Sequence, residues 1–261
     1  MLDLYTDSFI KFKEDTHQYF DPSGIEYQSM SRVLKTIQNP FDRDGISKAV
    51  ARKEGISPEQ VLKNWDEKRD NAAEYGNFIH KGMENYFNGM KVNDKRVFEL
   101  AKNFSIETKD YYRISTEHIL HDSEFKIAGQ TDLLLDRQNN NRSKGSPWII
   151  DLMDYKTNLE KGIYFDSISR KNGEIRHYKK FLLSPLDHLE ECNFNIYALQ
   201  LSGYGRMLEK TYGIKVGKLF IVWIVYNKEL DKFDYTMIPV PYMKMEIDAL
   251  FESYSKLKKI A

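Results

Sequence analysis

The 261-residue chain has a single cysteine, Cys192. One thiol excludes an intrachain disulfide, a zinc site built on several cysteines, and an iron-sulfur cluster held by four thiolates of one chain. Its expected state is a half-buried structural thiol. No apolar run approaches the roughly 20 residues that a membrane-spanning helix needs. Met1 to Phe9 carries two aspartates, no basic flank and no long apolar stretch, so no secretory signal is expected there. The expectation is a cytoplasmic protein without a membrane partner. Net charge is also missing, with 39 basic residues balanced by 39 acidic ones. Neutrality counts against a protein that coats DNA, whose affinity comes from counterion release. It leaves room for an enzyme in which an acidic metal site offsets a local basic groove. Internal repeats and low-complexity linkers are absent too.

What is present has the texture of a soluble globular chain, 41% hydrophobic and 30% charged, and long enough to bury a sizeable core. Phe9 to Lys13, Gln18 to Tyr19 and Ile25 to Tyr27 alternate as a strand hairpin, with turn chemistry at Asp21-Pro22-Ser23-Gly24. Ser29 or Ser31 can cap a short helix through Ile37, ended by Asn39-Pro40. Ser57-Pro58-Glu59 starts a helix through Trp65. A second helical stretch, after it or continuous with it, passes through Phe78, Ile79 and Met83 to a stop at Asn88-Gly89. Another helix is predicted near Lys95 to Phe104. Successive strands follow at Ile114 to Leu120, Phe125 to Ala128, Thr131 to Leu135 and Trp148 to Tyr155, with Asn139 to Ser146 as a polar loop. Phe194 to Lys210 is a long helix, Lys218 to Tyr226 and Phe233 to Val240 are strands, and Tyr242 to Ile260 is a closing helix. This order predicts an α/β core with an N-terminal hairpin and helical cap. Residues 1–75 are expected to form the cap region and 76–261 the core, in one compact unit.

Four short patterns carry possible chemistry. Asp132 closes Gly129-Gln130-Thr131-Asp132 ahead of three leucines. Asp154 and Lys156 end the apolar strand Trp148 to Thr157, two residues apart and therefore on one face. An acid and a lysine there are poor core material unless paired or metal-bound. A hard divalent cation uses such carboxylates, completed by waters and phosphate oxygens. In Gly76-Asn77-Phe78-Ile79-His80-Lys81-Gly82-Met83-Glu84, His80 and Glu84 share a helix face, a metal ligand with a carboxylate to orient it. Gln200 and Tyr204 share a face of the long helix, with Tyr197 nearby. Each pattern alone also suits an ordinary surface pair or a half-buried polar face.

Taken in order, the G-x-x-x-H-x-x-x-E helix, G-x-x-D, the strand ending D-Y-K-T, and Q-x-x-x-Y resemble the motif series of RecB-like PD-(D/E)XK nucleases, including stand-alone phage-type exonucleases. The resemblance runs from Gly76 to Leu208 and more weakly over Tyr27 to Asp42. It implies a restriction-endonuclease-like central mixed sheet flanked by helices. It implies Mg²⁺, with Mn²⁺ able to substitute, held by Asp132, Asp154, the backbone carbonyl of Tyr155, and His80. Lys156 would position the attacking water and stabilise charge on the phosphate, with Gln200 and Tyr204 orienting it and holding the DNA backbone. Glu84 would be an orienter, and Glu117 stands where members often carry an acid. The iron-sulfur cluster of some members is not expected with Cys192 alone. The chain also lacks a G-x-x-x-x-G-K-[ST] loop, so a stand-alone nuclease is implied rather than a helicase.

The activity implied is DNA exonuclease, in phage or bacterial recombination, repair or processing, on DNA with a free end and with a recombination or replication protein as a possible partner. The most basic stretch, Arg170-Lys171 through Arg176 to Lys179-Lys180 with Tyr178 interleaved, is expected to line the substrate entrance by charge and stacking. Arg52-Lys53 and Lys68-Arg69 are expected to line the cap, whose helices would restrict entry to strand ends. Two other functions fit the same residues. One is a catalytically inactive DNA-binding module, which would have lost an acid or the lysine. The other is a metal-dependent hydrolase of a small substrate, for which zinc would call for more histidine or cysteine ligands than are seen here.

Overall fold

Turn chemistry organises the start of the chain. Strands β1 (Lys11–Lys13) and β2 (Gln18–Phe20) form a hairpin, and β3 (Glu26–Ser29) returns antiparallel to β2. The Asp21 carboxylate sets the second turn by accepting the N–H groups of Ser23 and Ile25 at 2.9 and 3.0 Å. Ser29, not Ser31, caps α1 (Met30–Lys35), its hydroxyl accepting the N–H of Arg32 at 3.3 Å. The structure, a computed structural model, describes residues 4–137, 148–158, 162–171 and 174–260. The loop expected at Asn139 to Ser146, and Asn172-Gly173 within the basic stretch, lie outside them.

Helix α2 (Arg43–Glu54) has no counterpart in the sequence expectations. It buries only Ser47 and Ala51, so its apolar periodicity is weak, although Asp42 and the left-handed Gly55 cap its two ends. Ser57 caps α3 (Pro58–Phe87), and the two expected helical stretches are one continuous helix of 30 residues. The boundary expected between cap region and core at 75/76 therefore falls inside α3. Helix α4 (Lys95–Thr108) packs beside it.

The remaining elements are β4 (Arg113–Asp122), β5 (Ile127–Asp136), β6 (Ile149–Lys156), β7 (Ile168–Lys171), β8 (Glu174–His177), α5 (Asn193–Met207), β9 (Lys215–Asn227), β10 (Lys232–Val240) and α6 (Lys244–Ile260). Helix α5 ends in a π-helical turn, Leu208–Tyr212, closed by the left-handed Gly213. Eight strands make one sheet in the order β1-β2-β3-β5-β6-β9-β10, with β4 paired to β5. β3 with β5 and β6 with β9 are parallel, while the other pairs are antiparallel. The molecule is α/β, a central mixed sheet between helices, as in restriction-endonuclease-like folds. The two strands expected at Phe125 to Ala128 and Thr131 to Leu135 are one strand, β5. Gly129 is not a turn there; it thins the strand for a ring, as described below.

Alternation along β5, β6 and β9 divides the core. Leu134, Leu152 and Ile221 face α1, α5 and α6, whereas Leu133, Met153 and Val222 face α3 and α4. Both faces are covered, so these strands read as near-continuous apolar runs. Each fully buried leucine or isoleucine contributes roughly 1.5–3 kcal/mol. Asp151 is the exception within β6. It is fully buried at a register shift against β9, and accepts the Tyr111 hydroxyl at 2.6 Å, Arg137 Nε at 2.8 Å and the Lys218 N–H at 2.6 Å. Its role is structural.

One edge of β5 is shared between two strands. β3 pairs with its start, at Ile127 and Ala128, and β6 with its end, from Leu133 to Asp136. Between them, Gly129 to Asp132 has no strand on that edge among the described residues. The sheet forks there, and the polar residues singled out above meet at the fork.

Candidate metal centre and cleft

Asp132 stands at the fork, where β6 leaves β5 beyond Met153. Its Oδ2 accepts the backbone N–H of Tyr155 in a short hydrogen bond that ties the two strands across the gap. Asp154 and Lys156 project on the side of Leu152, and the Tyr155 ring turns to the opposite core. Ile79 and Met83 anchor α3 in that core, which brings His80 to the fork. Its Nδ1 lies 3.2 Å from Asp132 Oδ1 and its ring meets Tyr155 edge-on at 5.5 Å. Glu117 of β4 lies across from Asp132, between the pairs Thr116–Leu133 and His118–Thr131, so cross-strand geometry puts both acids on one face. Its backbone is left-handed, φ 48°, a strained conformation for a side chain with a Cβ.

Ligand atoms of His80, Glu117 and Asp132 all lie within 4.8 Å of one another. Asp154, 3% exposed, instead turns its Oδ2 to Lys156. That contact is a buried ion pair. A nitrogen and several carboxylate oxygens crowded together suit Mg²⁺ or Mn²⁺ better than a soft metal.

Burial penalises every charge at the fork, and the pairings decide which charges survive. His80 is held protonated, because Asp132 and Asp154 outweigh the burial that opposes its charge and push its pKa up to about 9. Burial also acts on Asp132, yet His80, Lys156 and the Tyr155 N–H keep it below the usual carboxylate range. Burial, followed by the charge of Asp132, pushes Glu117 up to about 8. Asp154 is raised to about 6, chiefly by burial and against the pull of Lys156. Lys156 stays above an ordinary lysine, since the two aspartates outweigh its burial. At neutral pH it is a cation.

These charges predict how a metal binds. A cation at His80 and Glu117 must displace the proton each carries at pH 7. Binding of Mn²⁺ then releases protons, and its apparent affinity rises as pH climbs from 7 towards 9. Titrating Mn²⁺ in buffers of different ionisation enthalpy measures the release. An affinity that stays flat over this range would contradict the ligand assignment.

Lys156 is held from α5 as well. Its Nζ lies 3.4 Å from Gln200 Oε1, and Gln200 Nε2 donates to the Tyr204 hydroxyl at 2.9 Å. The Tyr197 ring lies under the ammonium, 4.7 Å from ring centre to Nζ, and its hydroxyl bonds Asn158. Tyr204 packs so closely on β5 that a Cβ on Gly129 would sit 2.5 Å from its ring. Gly129→Ala is expected to push Tyr204 and Gln200 away from Lys156. If the cleft is catalytic, turnover should fall roughly 10- to 100-fold, the scale of a displacement of about 1 Å at a reacting centre. Turnover together with a thermal melt checks this, and a variant with unchanged turnover and an unchanged melt would count against the Tyr204 contact.

Glu84 pairs with Lys81 at 2.7 Å and lines the same cleft, which has a volume of about 810 Å³. The basic stretch forms the separate hairpin β7–β8. Arg176 faces Glu174 at 3.8 Å and Lys180 faces Glu191 at 3.2 Å, and neither these two nor Lys179 lines the cleft. Arg170 and Lys171 lie on β7, and their side chains fall outside the described residues. Of the expected cap residues, Lys68 lines a neighbouring cavity with Tyr75 and Asn158. Cys192 is buried and donates to the Phe165 carbonyl at 3.1 Å. Part of the cleft lining comes from the β1–β2 hairpin, with Phe12, Glu14, His17 and Tyr19. No sequence spacing points to these residues, because they meet the fork only through the pairing of β3 with β5. Among the described residues, no helix is long and apolar enough to cross a membrane.

No protein-family model matches the chain, and no curated protein matches it. Among solved structures, the crystal structure of SSO0001 aligns with 88% of this chain and 76% of its own, at 16% identity and a TM-score of 0.32. A likeness that low carries no argument about fold or activity.

Proposed function

We propose that this chain is a divalent-metal-dependent nuclease that hydrolyses DNA phosphodiesters, acting from strand ends. The observation that carries the reading is the meeting of His80, Glu117, Asp132, Asp154 and Lys156, from four elements, at one fork in the sheet. His80, Glu117 and Asp132 would hold Mg²⁺ or Mn²⁺, joined by Asp154 and the Tyr155 carbonyl. The ion supplies Lewis acidity that makes water nucleophilic at neutral pH and offsets phosphate charge. Lys156 adds a fixed positive donor. Being charged at neutral pH, it acts by orienting the water and stabilising the phosphate oxygens rather than by removing a proton. Asp154, Gln200 and Tyr197 hold its ammonium on three sides, so little reorganisation is needed as charge builds on the phosphate.

The test is degradation of end-labelled single-stranded, duplex and circular DNA with Mg²⁺, Mn²⁺ or EDTA. Loss of linear DNA only with metal is the expected result. Cleavage of circles replaces the end-directed reading with an endonuclease, and no cleavage under any metal condition removes the nuclease reading.

A further inference from the structure

Among the described residues, four non-glycine positions have left-handed backbone, and two of them, His17 (φ 50°) and Glu117, line the cleft. Glu117 is accounted for by the metal centre. His17 ends the β1–β2 turn, where glycine or asparagine would fit with less strain. Histidine is among the side chains that adopt this backbone more readily than most, and this one lines the cleft. Its imidazole meets the Phe12 ring edge-on, 5.1 Å between centres, and Phe12 packs on buried Tyr19 at 4.8 Å. The result is a short aromatic wall in the cleft that His80 and Asp132 also line.

The charge of this wall limits what it can hold. It carries Glu14 and contributes neither lysine nor arginine to the cleft. A polyanionic backbone gains nothing from it, whereas an uncharged base can stack on a ring at no electrostatic cost. Space is available as well, because about 810 Å³ lies towards the upper end of small-ligand clefts and exceeds what an ion and a phosphate fill.

We propose that the perpendicular Phe12 and His17 rings form a platform that holds an unpaired nucleobase next to the phosphate at the metal centre, one ring stacking on its face and the other meeting its edge. The preferred substrate is then a single-stranded end. This rests on the nuclease reading above for the identity of the phosphate, but not for the stacking itself. In a duplex the base is already stacked and paired, so using the platform costs its unpairing.

Binding of a single-stranded oligodeoxynucleotide with terminal 2-aminopurine reads the platform directly. Ca²⁺ replaces Mg²⁺ in the assay, and an internal 2-aminopurine serves as the control. Wild type should quench the terminal base. His17→Gly suits the left-handed turn, so it should melt at or above the wild-type temperature yet bind roughly 5- to 150-fold more weakly, the loss of one stacked base. Phe12→Leu, which keeps an apolar contact to Tyr19 without an aromatic face, should weaken binding likewise. Equal quenching by wild type and His17→Gly, or no single-strand binding by wild type, overturns the platform. Quenching by wild type that His17→Gly loses, without cleavage in Mg²⁺ or Mn²⁺, supports the platform while the nuclease reading fails.

Discussion

Lys156→Ala should lower metal-dependent cleavage of end-labelled DNA by about 10³-fold, the scale of losing a preorganised charge at a reacting centre. The side chain is 16% exposed and held by Asp154, Gln200 and Tyr197, so its charge is fixed before substrate arrives. Removing it takes a positive charge from beside Asp154, so the affinity for Mn²⁺ should hold or rise while turnover collapses. That split separates a catalytic part from a structural one, since general damage would lower both. Single-turnover cleavage and Mn²⁺ calorimetry on the same preparation measure the two quantities. A variant that cuts within a few-fold of wild type would remove Lys156 from the reaction.

The second large effect is on stability and arises away from the cleft. Arg206 of α5 is 4% exposed, pairs with Asp122 at the end of β4, and donates through Nε to Asp248 of α6 at 2.6 Å. Its guanidinium also lies 5.0 Å from the ring centres of Phe125 and Phe251. Three elements are joined through one buried cation. Arg206→Met leaves Asp122, 2% exposed, charged and without its partner, and should cost ~3–5 kcal/mol in denaturant unfolding. Adding Asp122→Asn removes the stranded charge and keeps the oxygen that accepts the Phe125 N–H at 2.9 Å, so the double variant should be more stable than Arg206→Met alone. A double variant that is worse than the single one would show that Asp122 does not carry the penalty.

Several elements were legible because their signals are local. Ser57-Pro58-Glu59 encodes a helix start by capping geometry, and α3 begins at Pro58. The alternation at Asp154 and Lys156 requires a common face, and the two side chains do pair. Helix α2 was missed because it covers little core, so no apolar stripe marks it. The two strands expected on either side of Gly129 are one, because Gly129 leaves room for the Tyr204 ring while β5 continues unbroken. In isolation a glycine in a strand means either a bend or a close approach.

The sequence by itself determined the capped helices that also carry an apolar stripe, the period-two strands, and the common face of Asp154 and Lys156, because each depends on neighbours a few residues apart. Only the tertiary structure decided the fork in β5, the nearness of Glu117 to Asp132, and the aromatic wall of Phe12 and His17. These depend on strand register and on β3 pairing in parallel with β5. Register is a choice among pairings of distant segments, settled by which faces the whole core can bury.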